Sequence, residues 1–325
     1  MPTSSFTVLS YHRIAEPGCP DLADSLIDAS PAAFEEQMRH VASHYNVVSS
    51  WDVVRAFRDG YTLPRRALVI TFDDGYRCFM DTAMPVLKRL GLPVTLFVST
   101  HMAGEPACLF WWDELYRSIR GTGLQQLEVA GLGTLPLGDK QERSEAFSRI
   151  VPHFERLAEE EATALLRSIV ESCGVEPNHE RYLLDWDELR ALEAEGVAIG
   201  PHTRHHPILA RAAPGRVISE TRGSWRDLTA RLQRPLPIFC YPNGREHAVN
   251  RTAMDAVKEV GLIAAFTTVP GLNVVGKTDP YRLFRIGAEG GESLRHFAIK
   301  LSPAGLVYRR LKGILRGTRS RNNEG

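Results

Sequence analysis

The fold of this 325-residue chain follows from ten residues, RALVITFDDG (66–75). The apolar run at 67–70 has no alternating polar positions, which is typical of a parallel strand buried on both faces. It leads to two adjacent acids, Asp73 and Asp74, and then to Gly75, which permits a sharp backbone turn. Adjacent carboxylates repel each other unless a cation or a proton separates their roles. This strand end is therefore either a candidate catalytic site or an ordinary solvated turn.

Strand-like and helix-like segments alternate along the chain, which predicts an α/β protein with parallel strands covered by helices. Apolar strands are predicted at 6–12, 66–72, 93–99, 197–200, 236–242, 262–268 and 281–287. Helices are predicted at 30–45, about 80–90, 185–196 and 217–232. Six or seven such units around one core favour a parallel barrel, with an open doubly wound sheet as the alternative.

Residues 103–184 interrupt this alternation. They combine an aromatic stretch, a Gly- and Leu-rich part and a charged helical part, which predicts a mainly helical insertion with a small hairpin. The domain prediction is thus a catalytic barrel formed by 1–102 and 185–305, an insertion at 103–184 and a basic tail at 306–325. The tail is weakly amphipathic, so we consider both a peripheral membrane contact and a frayed terminal helix.

The composition is typical of a soluble globular protein, with 43% hydrophobic and 24% charged residues. The 39 basic residues equal the 39 acidic ones, so the net charge gives no support for a nucleic-acid partner. No long apolar run predicts a transmembrane helix, and the N-terminus is typical of a first strand rather than an export signal. The five cysteines form no CxxC pair, which favours a reducing cytoplasm.

A second strand end carries two histidines in the stretch GPHTRHHP (200–207). We expect the four-residue spacing of His202 and His206 to stack both imidazoles on one side of a helical turn, within reach of one metal. Two histidines and an aspartate leave coordination positions open, which is the composition of a catalytic rather than a structural metal site. The alternative is an ordinary polar loop.

A third strand end reads IFCYPNGR (238–245). Its Tyr-Pro-Asn-Gly sequence is typical of a turn. Beside a metal, the turn offers a backbone N–H for an oxyanion and a tyrosine face for a substrate ring. On its own it is a loop.

Together, the three segments resemble polysaccharide deacetylases of the NodB-homology type. The family's Thr-Phe-Asp-Asp-Gly motif is matched at 71–75, its His-(Ser/Thr)-x-x-His motif at 202–206, and the Tyr-Pro-x-Gly sequence of one subgroup at 241–244. The resemblance covers roughly residues 6–300, except for much of the insertion. It implies a distorted (β/α) barrel with about seven strands.

The resemblance also implies a role for each matching residue. Asp73 is expected to be the general base, and the backbone N–H of Tyr241 an oxyanion donor. Asp74, His202 and His206 are expected to bind one divalent metal ion, usually Zn²⁺ and sometimes Co²⁺ or Ni²⁺. The implied reaction is removal of acetyl groups from an N-acetylated sugar or polysaccharide.

Two parts of the family pattern are missing from the sequence. No late apolar-x-His motif supplies the general acid, and His296 falls in a helix-like segment, so we expect His12, at the end of the first strand, to replace it. The alternative for His12 is a half-buried structural histidine. The arginine of the third motif is also absent, and we expect Arg285 to replace it unless it forms a surface salt bridge.

Three interpretations of the function stay open. The first is the N-acetyl hydrolase, the second is an O-acetyl esterase or cyclic amide hydrolase on the same fold, and the third is an inactive carbohydrate-binding barrel. A missing acid favours the second, because an ester needs little protonation to leave. The intact acid and histidine set argues against the third. Trp111, Trp112 and Asp113 line a sugar subsite or form the core of the insertion. The oligomeric state is not predicted.

Overall fold

The structure, a computed structural model, describes residues 4–19, 23–103, 105, 108–176, 181–302 and 305. The basic tail predicted at 306–325 lies outside the described residues. Among the helices of the described ranges, none is long and apolar enough to cross a membrane.

The strands of the described chain are mostly short. They are β1 Ser5–Tyr11, β2 Asn46–Val47, β3 Ala67–Phe72, β4 Thr95–Val98, β5 Gln126–Val129, β6 Gly133–Pro136, β7 Ala198–Pro201, β8 Ile238–Cys240, β9 Ala264–Phe266, β10 Asn273–Val274 and β11 Ile286–Gly287.

The α-helices connect these strands. They are α1 Pro31–His44, α2 Ser50–Arg58, α3 Met84–Arg89, α4 Trp111–Gly121, α5 Lys140–Phe154, α6 Glu159–Cys173, α7 Trp186–Ala194, α8 Pro214–Arg231, α9 Arg251–Glu259 and α10 Leu294–Leu301.

Seven parallel strands close into a distorted barrel in the order β1, β3, β4, β7, β8, β9 and β11. Parallel pairing joins β1 to β3, β3 to β4, β4 to β7 and β8 to β9. Between β7 and β8 the Leu236 N–H donates to the Ile199 carbonyl at 2.7 Å. Leu283 bridges to Phe266 of β9, and β11 then pairs with β1. This closure confirms the predicted barrel and excludes the open sheet.

Strand β3 has all six residues buried, as its continuous apolar run predicts. Its side chains alternate between two cores. Leu68, Ile70 and Phe72 pack outward against the surrounding helices, where the Phe72 ring stacks on Tyr11 at 5.2 Å. The alternate side chains of β3 pack inside the barrel with residues of β4, β8 and β9. The strand is thereby held from both faces, and its end is placed firmly at the barrel mouth.

The helix predicted at about 80–90 begins differently from the prediction. A π-helical turn at Phe79–Ala83 precedes α3, and Pro85 lies in the first turn of α3. Proline is tolerated there because a first-turn N–H has no intrahelical partner to lose. The regular α-helix is therefore limited to Met84–Arg89, the C-terminal part of the segment predicted as a helix.

Residues between β4 and α7 build a core of their own. The antiparallel hairpin of β5 and β6 packs against α4, α5 and α6. Phe147 and Ile150 are buried in this core, and Trp111 stacks on Phe154 with a ring separation of 4.1 Å. Helices and a small hairpin are the elements that the sequence predicted for this segment.

Gly200 in β7 provides a test of barrel packing. A Cβ there would lie 2.7 Å from the Phe97 ring and 2.8 Å from the Ile238 carbonyl oxygen. We expect Gly200→Ala to lower the free energy of unfolding by about 1–3 kcal/mol, measured by urea denaturation. Gly215, in α8, is the matched control because a Cβ there meets nothing within 4 Å. Gly215→Ala is expected to leave stability unchanged or raise it by up to ~1 kcal/mol. Equal stabilities for the two variants would contradict the packing.

Candidate active site

The predicted site residues lie at or beside the ends of four barrel strands. Asp73 and Asp74 follow β3, and His202 follows β7. Tyr241 follows β8, and Arg285 directly precedes β11. The carboxyl ends of parallel strands share one edge, which is why the acids after β3 and the histidine after β7 meet here. Arg285 reaches Asp73 through its side chain from the residue before β11.

Asp74, His202 and His206 form a compact cluster. Oδ1 of Asp74 lies 3.4 Å from Nε2 of His202 and 3.4 Å from Nε2 of His206. Ligand atoms of the three residues all lie within 4.8 Å of one another. One metal ion can therefore be bound by all three side chains.

The surroundings of these atoms fit a cation. Nδ1 of His202 donates to the Cys240 carbonyl oxygen at 2.7 Å, since a carbonyl can only accept, and this orients Nε2 toward Asp74. Asp74 Oδ1 is buried and makes no hydrogen bond with the described residues. A buried carboxylate oxygen without a hydrogen-bond donor costs free energy, so a positive charge bound beside it would stabilise the site. Two nitrogens and one oxygen are a donor set that suits zinc and similar divalent ions.

The pKa values of the two imidazoles differ in direction. Burial lowers the pKa of His206 to about 4, so this ring is neutral at pH 7. Burial also acts against charge on His202, but Cys240 and Asp74 beside it raise the pKa of this imidazole. The cluster thus attracts a positive charge, which a bound metal ion supplies in place of a proton.

The two histidines do not lie on a helical turn, so that part of the prediction was wrong. The segment from 202 to 206 is a loop in which Thr203 and His206 have positive φ angles of 64° and 60°. The rings still approach to 4.8 Å between centroids. Left-handed backbone at two non-glycine residues brings the imidazoles together instead of α-helical periodicity.

Arg285 binds both oxygens of Asp73. Nη1 donates to Oδ1 at 2.8 Å and Nη2 donates to Oδ2 at 2.6 Å, and neither side chain is more than 2% exposed. The surface salt bridge considered for Arg285 is therefore excluded. Burial opposes ionisation of Asp73, yet Arg285 outweighs it and holds the pKa of Asp73 below its usual value.

His12 lies at the open side of the cluster. Its Nε2 is 3.8 Å from Asp73 Oδ2, and its Nδ1 is 3.3 Å from Asp28 Oδ2. The side chain is 38% exposed. Burial lowers its pKa, but Asp28 and the two acids that follow β3 outweigh that effect and raise the pKa to about 9. By contrast, His296 lies on α10, about half exposed, next to Glu292.

A family model described as polysaccharide deacetylase matches residues 60–265, more than half of the chain. The chain belongs to the polysaccharide deacetylase family. Within this family, the poly-beta-1,6-N-acetyl-D-glucosamine N-deacetylase of Escherichia coli (strain K12) is 31% identical over 94 residues. That alignment covers 28% of this chain and 13% of the relative, so most of the relative has no counterpart here.

Solved structures of deacetylases share the fold. The Streptococcus pyogenes deacetylase PplD, in complex with acetate, matches with a TM-score of 0.60 and 17% identity, covering 93% of this chain and 99% of that one. IcaB from Ammonifex degensii matches with a TM-score of 0.57 and 17% identity, covering 94% and 97%. At this identity the likeness establishes the barrel alone.

In this family member the backbone N–H of Tyr241 does not point into an open site. It donates to the Phe266 carbonyl at 3.1 Å, as part of the contact between β8 and β9. The predicted oxyanion contact conflicts with this bond, because the N–H already has a partner. The Tyr241 side chain is buried, and its hydroxyl donates to the Tyr281 carbonyl at 3.2 Å.

The aromatic stretch at the start of α4 was predicted either to line a sugar subsite or to form the core of the insertion, and its residues divide between these two places. Trp111 stacks on Phe154 and belongs to the core of the 103–184 segment. Trp112 is half-buried, and its ring lies edge-on to the metal-cluster residue His206 at 4.9 Å. Asp113 is buried and accepts hydrogen bonds from Arg13 and from Tyr76. This segment of the deacetylase chain therefore reaches the edge of the site.

Two site residues were not predicted from the sequence. The buried Cys240 thiol donates to Asp73 Oδ2 at 3.4 Å, and burial raises the pKa of this thiol, which keeps its proton. Its place immediately before Tyr241 at the strand end was a usable signal. The Asp28 carboxylate accepts hydrogen bonds from the backbone N–H groups of His12 and Arg13. Nothing in the spacing of Asp28 relative to His12 indicates that contact.

The buried ion pair predicts a large stability difference between two arginine substitutions. Arg285→Ala leaves Asp73 buried without a counter-charge, so we expect the free energy of unfolding to fall by about 3–5 kcal/mol. Arg251 pairs with Asp255 on the surface, where the side chains are 81% and 43% exposed. Arg251→Ala is expected to change stability by less than ~0.5 kcal/mol. Urea denaturation of both variants is the measurement, and similar losses would contradict the role of the buried pair.

Proposed function

We propose that this chain is a metal-dependent hydrolase that removes acetyl groups from an N-acetylated sugar or polysaccharide. The observation that carries the proposal is the unbonded, buried oxygen of Asp74 facing two imidazole nitrogens, beside an Asp73 that Arg285 keeps ionised. Metal-assisted hydrolysis is expected where a set of metal ligands lies beside an ionised carboxylate that can act as the base.

Asp74, His202 and His206 would hold the divalent ion, with Zn²⁺ preferred and Co²⁺ or Ni²⁺ as alternatives. Such an ion, when bound, polarises a carbonyl group and lowers the pKa of a water ligand. The Cys240 carbonyl fixes the tautomer of His202, so Nε2 is the atom that would bind the ion.

Asp73 is the general base in this proposal. Arg285 and the Cys240 thiol hold its carboxylate in one orientation. Its pKa stays low, so the carboxylate is ionised at neutral pH. The Asp73 carboxylate is the acceptor we assign to the proton of the attacking water, and His12 lies beside it.

His12 is the general acid in this proposal. An amide leaves as an amine only after it gains a proton, whereas an ester leaves more easily without one. Asp28 holds Nδ1, so Nε2 faces the space next to Asp73. No oxyanion role is kept for Tyr241, because its N–H is bonded to Phe266; its buried side chain supports the loop after β8.

The domain assignment is part of the same proposal. Residues 1–102 and 185–305 form the catalytic barrel, and 103–184 form an insertion. We assign Trp112, whose ring lies 4.9 Å from that of His206, as a contact for a pyranose ring of the substrate. We place the enzyme in the cytoplasm, since five free cysteines suit a reducing compartment. The tail at 306–325 remains a candidate for contact with an anionic membrane surface.

Chelation and the loss of one carboxylate test the reaction. We expect acetate release from N-acetylated saccharides to stop in the presence of a chelator and to return with Zn²⁺. Asp73→Asn is expected to lower the rate by about 10²–10⁴-fold, because the base is lost. The saccharides tested include poly-β-1,6-N-acetyl-D-glucosamine, the polymer after which the E. coli relative is named. Asp187→Asn, at an 85% exposed side chain, is the control. Activity that survives both treatments would refute the mechanism.

A histidine pair tests the acid. His12→Gln is expected to slow N-acetyl hydrolysis by about 10²–10⁴-fold, while hydrolysis of an aryl acetate ester falls by less than ~10-fold, because a phenolate leaves without protonation. His296→Gln is the matched control, since this half-exposed ring lies on α10. Acetate and phenol release are measured for both variants. A parallel loss of both activities in His12→Gln would rule out the acid role, and a preference for esters in the native enzyme would favour the esterase alternative.

A further inference from the structure

The loop that carries the two histidine ligands has an unfavourable backbone. Thr203 and His206 both adopt left-handed φ angles, which cost free energy in residues other than glycine. Such a conformation persists only when neighbouring groups hold it in place. The spacing of the two Nε2 atoms therefore depends on what binds the backbone between them.

One buried carboxylate binds that backbone from α8. Oε2 of Glu220 accepts the N–H groups of Arg204 at 2.8 Å and of His205 at 2.9 Å. Oε1 accepts Nδ1 of His205 at 2.7 Å and pairs with Arg216 at 2.9 Å. Glu220 is only 1% exposed. A buried charge with three hydrogen-bond donors and an arginine counter-charge is held rigidly, and so is the loop that donates to it.

The opposite side of the loop is held by the segment that follows β4 and by the loop itself. The N–H groups of Thr100 and His101 donate to the carbonyls of Thr203 and Arg204, each at 3.0 Å. Thr203 Oγ1 accepts the His206 N–H at 3.0 Å. Glu220 supplies the contacts on the α8 side.

We propose that Glu220 is a positioning residue that sets the metal affinity of the His202–His206 loop without touching the metal. The inference rests on the proposed function only in requiring that the site binds a divalent ion. Without the carboxylate, two N–H groups lose their acceptor, the left-handed residues relax, and the His206 imidazole moves relative to His202. Loss of groups that orient metal ligands typically weakens binding by about 10–100-fold.

Asp227 is a matched control on the same helix. It binds the same loop residue, but only through side chains, accepting from Nε of Arg204 at 2.9 Å and from Oγ1 of Thr100 at 2.8 Å. Its removal disturbs the loop surface and leaves the backbone contacts of Glu220 in place. Comparing the two variants therefore distinguishes the loss of backbone contacts, at Glu220, from the loss of side-chain contacts, at Asp227.

The test is Zn²⁺ affinity, measured by competition with a chromogenic chelator, together with thermal unfolding in chelator. We expect Glu220→Ala to weaken Zn²⁺ binding by about 10–100-fold and Asp227→Ala by less than ~3-fold. Glu220→Gln keeps a carbonyl oxygen for the two N–H groups, so it retains the fold if the alanine variant does not, and we expect a severalfold loss. Unfolding in chelator shows how much of each effect is general stability.

Each result is decisive. Native affinity in both Glu220 variants overturns the inference while leaving the proposed function intact, and so does an equal loss in Asp227→Ala. A native chain that binds no divalent ion overturns both. Weak Zn²⁺ binding in folded Glu220 variants, with Asp227→Ala near native, supports the positioning role, because a merely structural contact would alter unfolding alone.

Discussion

Two adjacent carboxylates are buried at the end of β3, and each needs its own source of positive charge. Asp73 receives it from Arg285 through two hydrogen bonds, whereas Asp74 faces imidazole nitrogens and has no donor on Oδ1. Unpaired buried charges are costly, so each carboxylate must be compensated by its own surroundings. Because these surroundings differ, the two adjacent acids have different chemistry. One carboxylate is held ionised and oriented. The other is left with a lone pair for a cation, and the remaining site residues are arranged around it.

The sequence predicts the barrel well because its signals are local. A strand buried on both faces needs an unbroken apolar run, and β3 shows one. The acids and histidines at strand ends also come together as expected, since parallel strands share an edge. The roles of these residues stay predictions. Burial was harder to anticipate: nothing near Arg285 in the sequence shows that it is enclosed rather than on the surface.

Other expectations failed where tertiary contacts decide. The spacing of His202 and His206 indicated a helical turn, but the backbone is a loop with two left-handed residues, and it is bound by groups from α8 and from the segment after β4. The N–H of Tyr241 was expected to be open, but pairing with Phe266 uses it. Periodicity describes neighbours along the chain, and it carries no information on partners from distant strands.

The counter-charge of Asp73 comes from one of the last parts of the barrel to be synthesised. Arg285 follows Asp73 by 212 positions, and β11, which it directly precedes, is also the strand that pairs with β1 to close the sheet. On the ribosome, the first three strands emerge with their carboxylate unmatched, so water must solvate it. A nascent chain therefore has no assembled centre until translation has passed β11, because a shorter chain lacks both the arginine that binds Asp73 and the strand that pairs with β1.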